Sequence, residues 1–390
     1  MMDYVAGREF RDFQVSGPFS LFEHTHRITP DDAGTCRLED HIEDVPPGGW
    51  LGRLIAGMWI ERQLSRAFAH RHAVTIADLV IAAASERTAS MKVLVTGATG
   101  LVGRHLVPFL TTQGHEVFRL IRTEPREAND ITWDPAAGMI LAARLEGLNA
   151  VVHLAGENIS GRWTDAMKER IRTSRVNGTR LLCETLASLK QKPKTLVCAS
   201  AIGFYGDRGP EQLTEDSPRG AGFLPEVCEA WEAACQPARD AGLRVVNLRI
   251  GVVLSPQGGA LAKMLLPFRW GAGGIVGSGR QYWSWIAIDD VAGAILHCLT
   301  HPELIGPVNA TAPHPATNYE FTKTLAGVLQ RPAILPVPAF AARMMLGQMA
   351  EELLLSSTRV EPRKLQQTGY QFRYPTLESA LRHVLGRTNG

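Results

Sequence analysis

The stretch that most restricts what this chain can become is "KVLVTGATGLVG", residues 92–103. Five strand-forming residues, Lys92 to Thr96, run into a TGxxGxxG loop, and an amphipathic segment from Leu101 to Gln113 follows. A βαβ unit demands that order. Gly97 permits a tight turn, Gly100 lets backbone approach a pyrophosphate, and Gly103 lets the helix pack close to the strand. The free N–H groups and positive end of the helix then face the phosphates. Gly97, Thr99, Gly100, Leu101, Val102 and Gly103 are therefore the expected phosphate-binding set. A glycine-rich turn with no ligand is the plainer alternative, but strand, loop, helix and second strand all fall in register for a dinucleotide.

Beyond the loop, strand and helix patterns alternate, as a parallel α/β sheet requires. Strands are expected at Glu116 to Ile121, Ile131 to Trp133, Ala150 to Leu154, Thr195 to Ala199 and Arg244 to Leu248. Helices are expected at about 165–189 and 224–240. After Gly251 glycines and prolines thicken and regular alternation is lost. The fold class is α/β: a Rossmann-type doubly wound parallel sheet with a smaller C-terminal, substrate-side region.

The second strand ends at Arg122, about 20 residues after the loop, where an NAD site carries an acidic residue for the ribose 2′-hydroxyl. A cation there suits a 2′-phosphate instead, so NADP is the expected cofactor and NAD the weaker alternative; a solvated surface arginine is the bland reading. Leu154, Ala155, Gly156 and Glu157, after the fourth strand, are expected to pass beneath the cofactor's ribose and diphosphate. Asp134 is expected to edge the adenine.

Composition narrows the partners. Charged residues make up 21% of the chain and hydrophobic ones 45%, and the formal net charge is +2. That near-neutral balance implies neither nucleic acid nor membrane; a small-molecule substrate is expected. No apolar run reaches the ~20 residues of a membrane helix, and the first thirty residues contain no signal-peptide core, so the expected compartment is the cytoplasm. The six cysteines form no CxxC pair and read as buried thiols, and no metal site is expected from them. Nothing in the sequence speaks to oligomeric state.

Residues 1–84 precede a polar break at 85–90 and read as a separate unit. Cys36, Leu38 and Ile42 alternate with polar neighbours, as in a half-buried antiparallel strand; Asp40 interrupts the apolar parity. A turn at Pro46 to Gly49 leads into a helix with Leu51, Leu54, Ile55, Met58, Leu64 and Phe68 on one face. With "GPFSLFEHTHRI" and "FAHRHAVTIADL", these strands and long helix resemble the second half of a START-like (polyketide cyclase) domain, a partial α+β segment. The expected boundaries are 1–84 for this segment, 85–90 for a linker, 91–335 for the NADP-binding domain and 336–390 for a small C-terminal domain.

The motifs "VTGATGLVGRHL", "VVHLAGENI", "SAIGFYG", "LRIGVVLS" and "WSWIAIDDVAGAI" resemble an atypical branch of the extended short-chain dehydrogenase/reductases, the epimerase-like family of the NAD-dependent epimerase/dehydratase superfamily. The segment from "PVPAFAARMM" to "YPTLESAL" resembles that family's own small C-terminal domain. The resemblance implies a Ser/Thr, a Tyr and a Lys moving a proton while hydride passes to or from the cofactor. This chain departs from it. Ala201 stands at the Ser/Thr position, Leu224 and Cys228 at the Tyr and Lys positions, and Arg175 where the family carries Asn. By elimination Tyr205 becomes the acid/base candidate, with Ser200 positioning the reacting oxygen and Arg175 supplying positive charge. Arg249, Arg280 and Trp283 are expected to face the substrate, with one of Trp283 and Trp285 in the cleft and the other in the core. The reading is an NADP(H)-binding, epimerase-like oxidoreductase acting on a small polar, nucleotide- or sugar-like molecule. The alternative is a non-catalytic NADP-binding regulatory or scaffold protein.

Overall fold

The computed structural model describes residues 4–31, 35–84 and 89–387; positions 85–88 of the expected linker lie outside them. The chain divides into two compact units, residues 1–72 and 73–390. In the first, β1 (Tyr4–Val5), β2 (Glu9–Phe13), β3 (Leu21–Pro30) and β4 (Cys36–Val45) form an antiparallel meander, followed by helix α1 (Gly49–Ala84). The even parity of β4 does turn inward, but Cys36 and Leu38 at its start stay exposed. The position that interrupts the apolar pattern, Asp40, is the one whose side chain is sealed, bonded to histidines of β3 and α1. The apolar stripe of α1 differs from expectation too. Leu54, Ile55 and Met58 are 77%, 84% and 77% exposed, and Ile60 is buried instead. A four-stranded meander is too small to cover the whole face of a 36-residue helix.

The second unit takes in the end of α1 from Ala73, twelve residues of the segment expected to stop at 84. Packing sets the difference: Ile81 lies against the sheet's core, and Asp78 pairs with Arg373 at 2.7 Å.

After β5 (Lys92–Thr96) come α2 (Leu101–Thr112), β6 (Glu116–Ile121), β7 (Asp130–Asp134), β8 (Met139–Ile140), β9 (Ala150–His153), α3 (Asp165–Ser188), β10 (Thr195–Ala201), β11 (Gln212–Leu213), α4 (Phe223–Ala233) and α5 (Gln236–Asp240). Then follow β12 (Arg244–Ile250), β13 (Val252–Leu254), α6 (Gly259–Arg269), β14 (Tyr282–Trp283), β15 (Trp285–Ala287), α7 (Ile288–Thr300) and β16 (Gly306–Ala310). The chain continues through β17 (Ala316–Thr317), α8 (Asn318–Leu329), α9 (Ala339–Leu346), β18 (Arg359–Val360), α10 (Arg363–Gln367) and α11 (Leu377–Val384).

The main sheet runs β16-β12-β10-β9-β5-β6-β7-β8, parallel throughout except for the β7–β8 hairpin. This is the doubly wound order of a Rossmann-type fold, with its topological switch between β5 and β9. Both faces are covered, which explains near-continuous apolar strands. In β5, Val93 and Val95 pack with Leu106 and Phe109 of α2 and Val291 of α7, while Leu94 packs with Leu182 and Leu186 of α3. Two expectations shift locally. The helix expected over 224–240 breaks at Cys235, because Pro237 must start a new helix rather than continue one. The seventh parallel strand, β16, went unpredicted because it is short and opens on Gly306-Pro307.

The acidic pair at the start of α7 holds the C-terminal segment. Asp289 meets His383 at 3.1 Å. Asp290, fully buried, accepts the N–H groups of Arg373 (2.8 Å) and Tyr374 (3.0 Å) and the Tyr370 hydroxyl (3.2 Å). Asp290→Ala leaves the Arg373 and Tyr374 N–H groups unpaired, each worth about 1–3 kcal/mol. Urea unfolding is expected to show a loss of about 3 kcal/mol.

Candidate functional site

The site is organised at the carboxyl ends of β5 and β9. Thr96 is fully buried. Its Oγ1 accepts the N–H groups of Leu154 and Ala155, each at 3.1 Å, so its own proton goes to His153 Nδ1 at 2.7 Å. His153 therefore carries its proton on Nε2 and donates it to Thr179 Oγ1 (2.9 Å), which also accepts Trp231 Nε1–H (2.9 Å). One chain of hydrogen bonds thus ties β5, β9, α3 and α4 beneath the switch point. Burial lowers the His153 pKa to about 4, so the imidazole is neutral there.

The three glycines of the loop serve different needs. Gly97 has φ +67°, and a Cβ on it would stand 2.8 Å from the Leu154 carbonyl carbon. At Gly103 a Cβ would strike Gly97 O at 2.2 Å, so only glycine lets α2 lie this close to the loop. Gly100 is the N-cap of α2, with no side-chain cap, and a Cβ on it would meet only Gly97 O, at 3.2 Å. The direction Gly100 faces is otherwise clear of protein atoms, as a cradle for a ligand requires. Thr99 is exposed, and Leu101 and Val102 are half-buried.

Around this loop, Arg122 is exposed just past the end of β6, and its side chain has no partner among the described residues. Neighbouring Arg119 is committed to Asp130 (2.7 Å) and Glu127 (2.9 Å). Asp134 is exposed, and its Oδ1 accepts the N–H groups of Ala136 and Ala137 and shapes the β7–β8 turn. Across the switch, Arg175 donates to the Glu157 carbonyl (3.1 Å) and lies 5.0 Å from the Trp231 ring centre. It also lies 3.3–3.4 Å from where a Cβ on Gly156 would be, so it braces the 154–157 loop.

The expected proton relay is not assembled. Tyr205 is fully buried, donates to Asn309 Oδ1 (2.7 Å) and accepts from Arg249 Nη1 (3.0 Å). Burial pushes its pKa up to about 12. Its cationic neighbour is Arg249 rather than Arg175. Ser200 donates to Glu232 at 2.7 Å. Arg249, expected to face substrate, is buried in a two-pronged pair with Glu232 at 2.8 and 2.9 Å. These residues form one internal network, which sequence periodicity could not distinguish from a reactive one. Trp283 and Trp285 are both in the core, because the chain changes partner at Ser284: β14 pairs with β17 and β15 with β13. Arg280 alone of the three expected substrate contacts is exposed.

Where the family places its Tyr and Lys, Leu224 and Cys228 are buried. Leu224 packs with Trp163, Ile171, Val227, Met349 and Leu353. The Glu352 carboxylate, absent from the sequence reading, accepts the N–H groups of Phe223 (3.2 Å) and Leu224 (2.8 Å) and so caps α4 in the absence of a side-chain N-cap.

Comparison with known proteins places this geometry. Residues 93–310 match the NAD dependent epimerase/dehydratase family and residues 337–384 match a domain of unknown function, DUF1731. An epimerase family protein of Mycobacterium bovis is 39% identical over 77% of this chain and 99% of its own. The crystal structure of a nucleoside-diphosphate sugar epimerase from Corynebacterium glutamicum superposes with a TM-score of 0.78 at 36% identity, covering 98% of this chain and 75% of that one. The crystal structure of human epimerase family protein SDR39U1 with NADPH gives 0.70 at 37% identity, over 75% of this chain and 99% of that one.

Two outcomes follow for the buried networks. The His153 pKa lies at about 4 in the folded chain against about 6.5 when free. The stability this contributes is complete above pH 6.5 and is lost as pH falls toward 4, about 3 kcal/mol in all. Denaturant unfolding across that range should show a steeper acid loss in the parent than in His153→Gln. Tyr205→Phe removes a buried hydrogen-bonded hydroxyl; a loss of about 1–2 kcal/mol in the same assay is expected, with NADPH affinity unchanged by fluorescence titration.

Proposed function

Because this chain belongs to the NAD dependent epimerase/dehydratase family, in its atypical branch with a DUF1731 C-terminal domain, we propose that it binds NADP(H) across the β5–β9 switch point and acts as an epimerase-like oxidoreductase on a small polar molecule. The observation that carries the reading is the Gly100 cradle at the uncapped start of α2, with the unpaired Arg122 at the end of the next strand. Backbone N–H groups of the first turn of α2, from Leu101 and Val102, hold the pyrophosphate, and Arg122 meets the 2′-phosphate. The 154–157 loop, braced by Arg175, flanks the ribose. When bound, the nicotinamide supplies or accepts hydride. The human relative crystallised with NADPH supports the phosphate preference, and the exposed Arg280 remains as a cation for an anionic substrate.

A second reading, cofactor binding without turnover, is favoured by one observation: the family's Tyr–Lys position is filled by the apolar cluster around Leu224. A screen for NADPH oxidation with small carbonyl compounds separates the two. Oxidation supports the enzyme; saturable NADPH binding with no oxidation across the screen supports the second reading.

The parent is expected to bind NADPH more tightly than NADH. Arg122→Asp should reduce or invert that preference, a loss of about 10- to 150-fold for NADPH. Gly100→Val should abolish binding of both cofactors, read by cofactor fluorescence. Equal affinity of the parent for NADPH and NADH would remove Arg122 from the site.

A further inference from the structure

We propose that Asp12, His24 and His26 of the first unit form a binding site for a divalent first-row metal ion such as Zn²⁺, separate from the cofactor loop and independent of it. The sequence places two histidines two apart on one strand, "HTH", so both side chains leave the same face of β3. Register puts Asp12 of β2 opposite His24 and Asp40 of β4 opposite His26. His24 and His26 are buried, and their ring centres stand 3.7 Å apart.

Three polar groups converge on one point. Asp40, its side chain 2% exposed, lies with Oδ1 at 3.0 Å from His24 Nε2, which donates to it, and 2.7 Å from His26 Nδ1. A neutral imidazole has only one N–H, so His24 presents the lone pair of Nδ1 toward Asp12, whose oxygen lies 3.8 Å away. His26 turns Nε2 to the same carboxylate, 3.3 Å from Asp12 Oδ2, and its Nδ1 lies 3.2 Å from the Arg71 guanidinium, a donor. A metal ion between them takes the place of the single proton that His26 Nε2 shares with Asp12 and leaves both rings neutral.

The geometry is already close. One ligand atom from each of Asp12, His24 and His26 lies within 4.8 Å of the others, and the two Asp12 edges approach the ~3.3 Å between ligands of a tetrahedral zinc site with bonds of ~2.0–2.1 Å. Two imidazoles and one carboxylate suit zinc or iron. Asp40 supplies the outer carboxylate that fixes His24 in its ligating tautomer. Asp40 is itself held by His72 (2.6 Å), and Arg71 adds positive charge at 3.9 Å while standing 3.2 Å from His26 Nδ1. The Asp12 side chain is 47% exposed, which leaves a coordination position for solvent or a ligand.

The test is calorimetric titration of Zn²⁺ into the full chain after chelator treatment, in a Cys36→Ser background that removes the exposed thiol. Visible absorption of the Co²⁺ form gives a second readout of low-coordinate nitrogen and oxygen ligation. One ion per chain is expected. Asp40→Asn should weaken binding about 10- to 100-fold, and Asp12→Asn and His24→Gln should weaken it more. Asp12 is half-exposed, so Asp12→Asn decides the matter even where His24→Gln disturbs the sheet; circular dichroism checks both. No uptake by the folded parent, or uptake unchanged in Asp12→Asn, overturns the site.

Discussion

The Thr96 hydroxyl governs how the two halves of the doubly wound sheet meet. By accepting from two successive N–H groups of the loop after β9, it draws that loop against Gly97, where no side chain fits. The same hydroxyl fixes the His153 tautomer, and His153 fixes Thr179 on α3. The mouth of the sheet is thus held by short polar contacts between buried groups, where each is stronger than at a surface and costly to lose. The 154–157 loop is held from behind, by buried atoms of β5 and β9.

The second region that sets the protein apart is the one around α4. In a chain that uses a Tyr–Lys pair, this helix delivers the reactive groups. Here Glu352 from the C-terminal domain accepts the Phe223 and Leu224 N–H groups that open the helix. The buried polar groups nearby are paired with one another: Arg249 with Glu232 and Tyr205, and Ser200 with Glu232. An ion pair so placed is costly to break, since either partner alone would be a buried charge. It acts as scaffold for the end of β10.

Much of this architecture was legible in the sequence. The strands β5, β6 and β12 and helix α3 follow from apolar runs and their spacing, and the glycine loop follows from its place between them. What sequence could not separate was direction. Tyr205 and Arg249 read as site residues because they lie at strand ends, yet a side chain at a strand end turns into the core as readily as into a cleft. Trp283 and Trp285 defeated simple alternation because the strand changes partner between them. Asp40 looked like a flaw in a pattern, and its role appears only once β3 and α1 are beside it. Glu352 gave no local signal, since its partners lie more than a hundred residues earlier.

The contacts of the last segment also set an order of assembly. Ser284 is bridged to Thr358 and Val360, Asp290 is satisfied by Arg373 and Tyr374, and α4 is capped by Glu352. During synthesis every one of these partners emerges after the parallel sheet is complete. The nascent sheet therefore carries a buried carboxylate, an open strand break and a bare helix end until the final stretch leaves the ribosome. At the ~5–20 residues added per second, that is an interval of seconds in which these contacts are unmade, and chain termination before residue 374 leaves Asp290 without its partners.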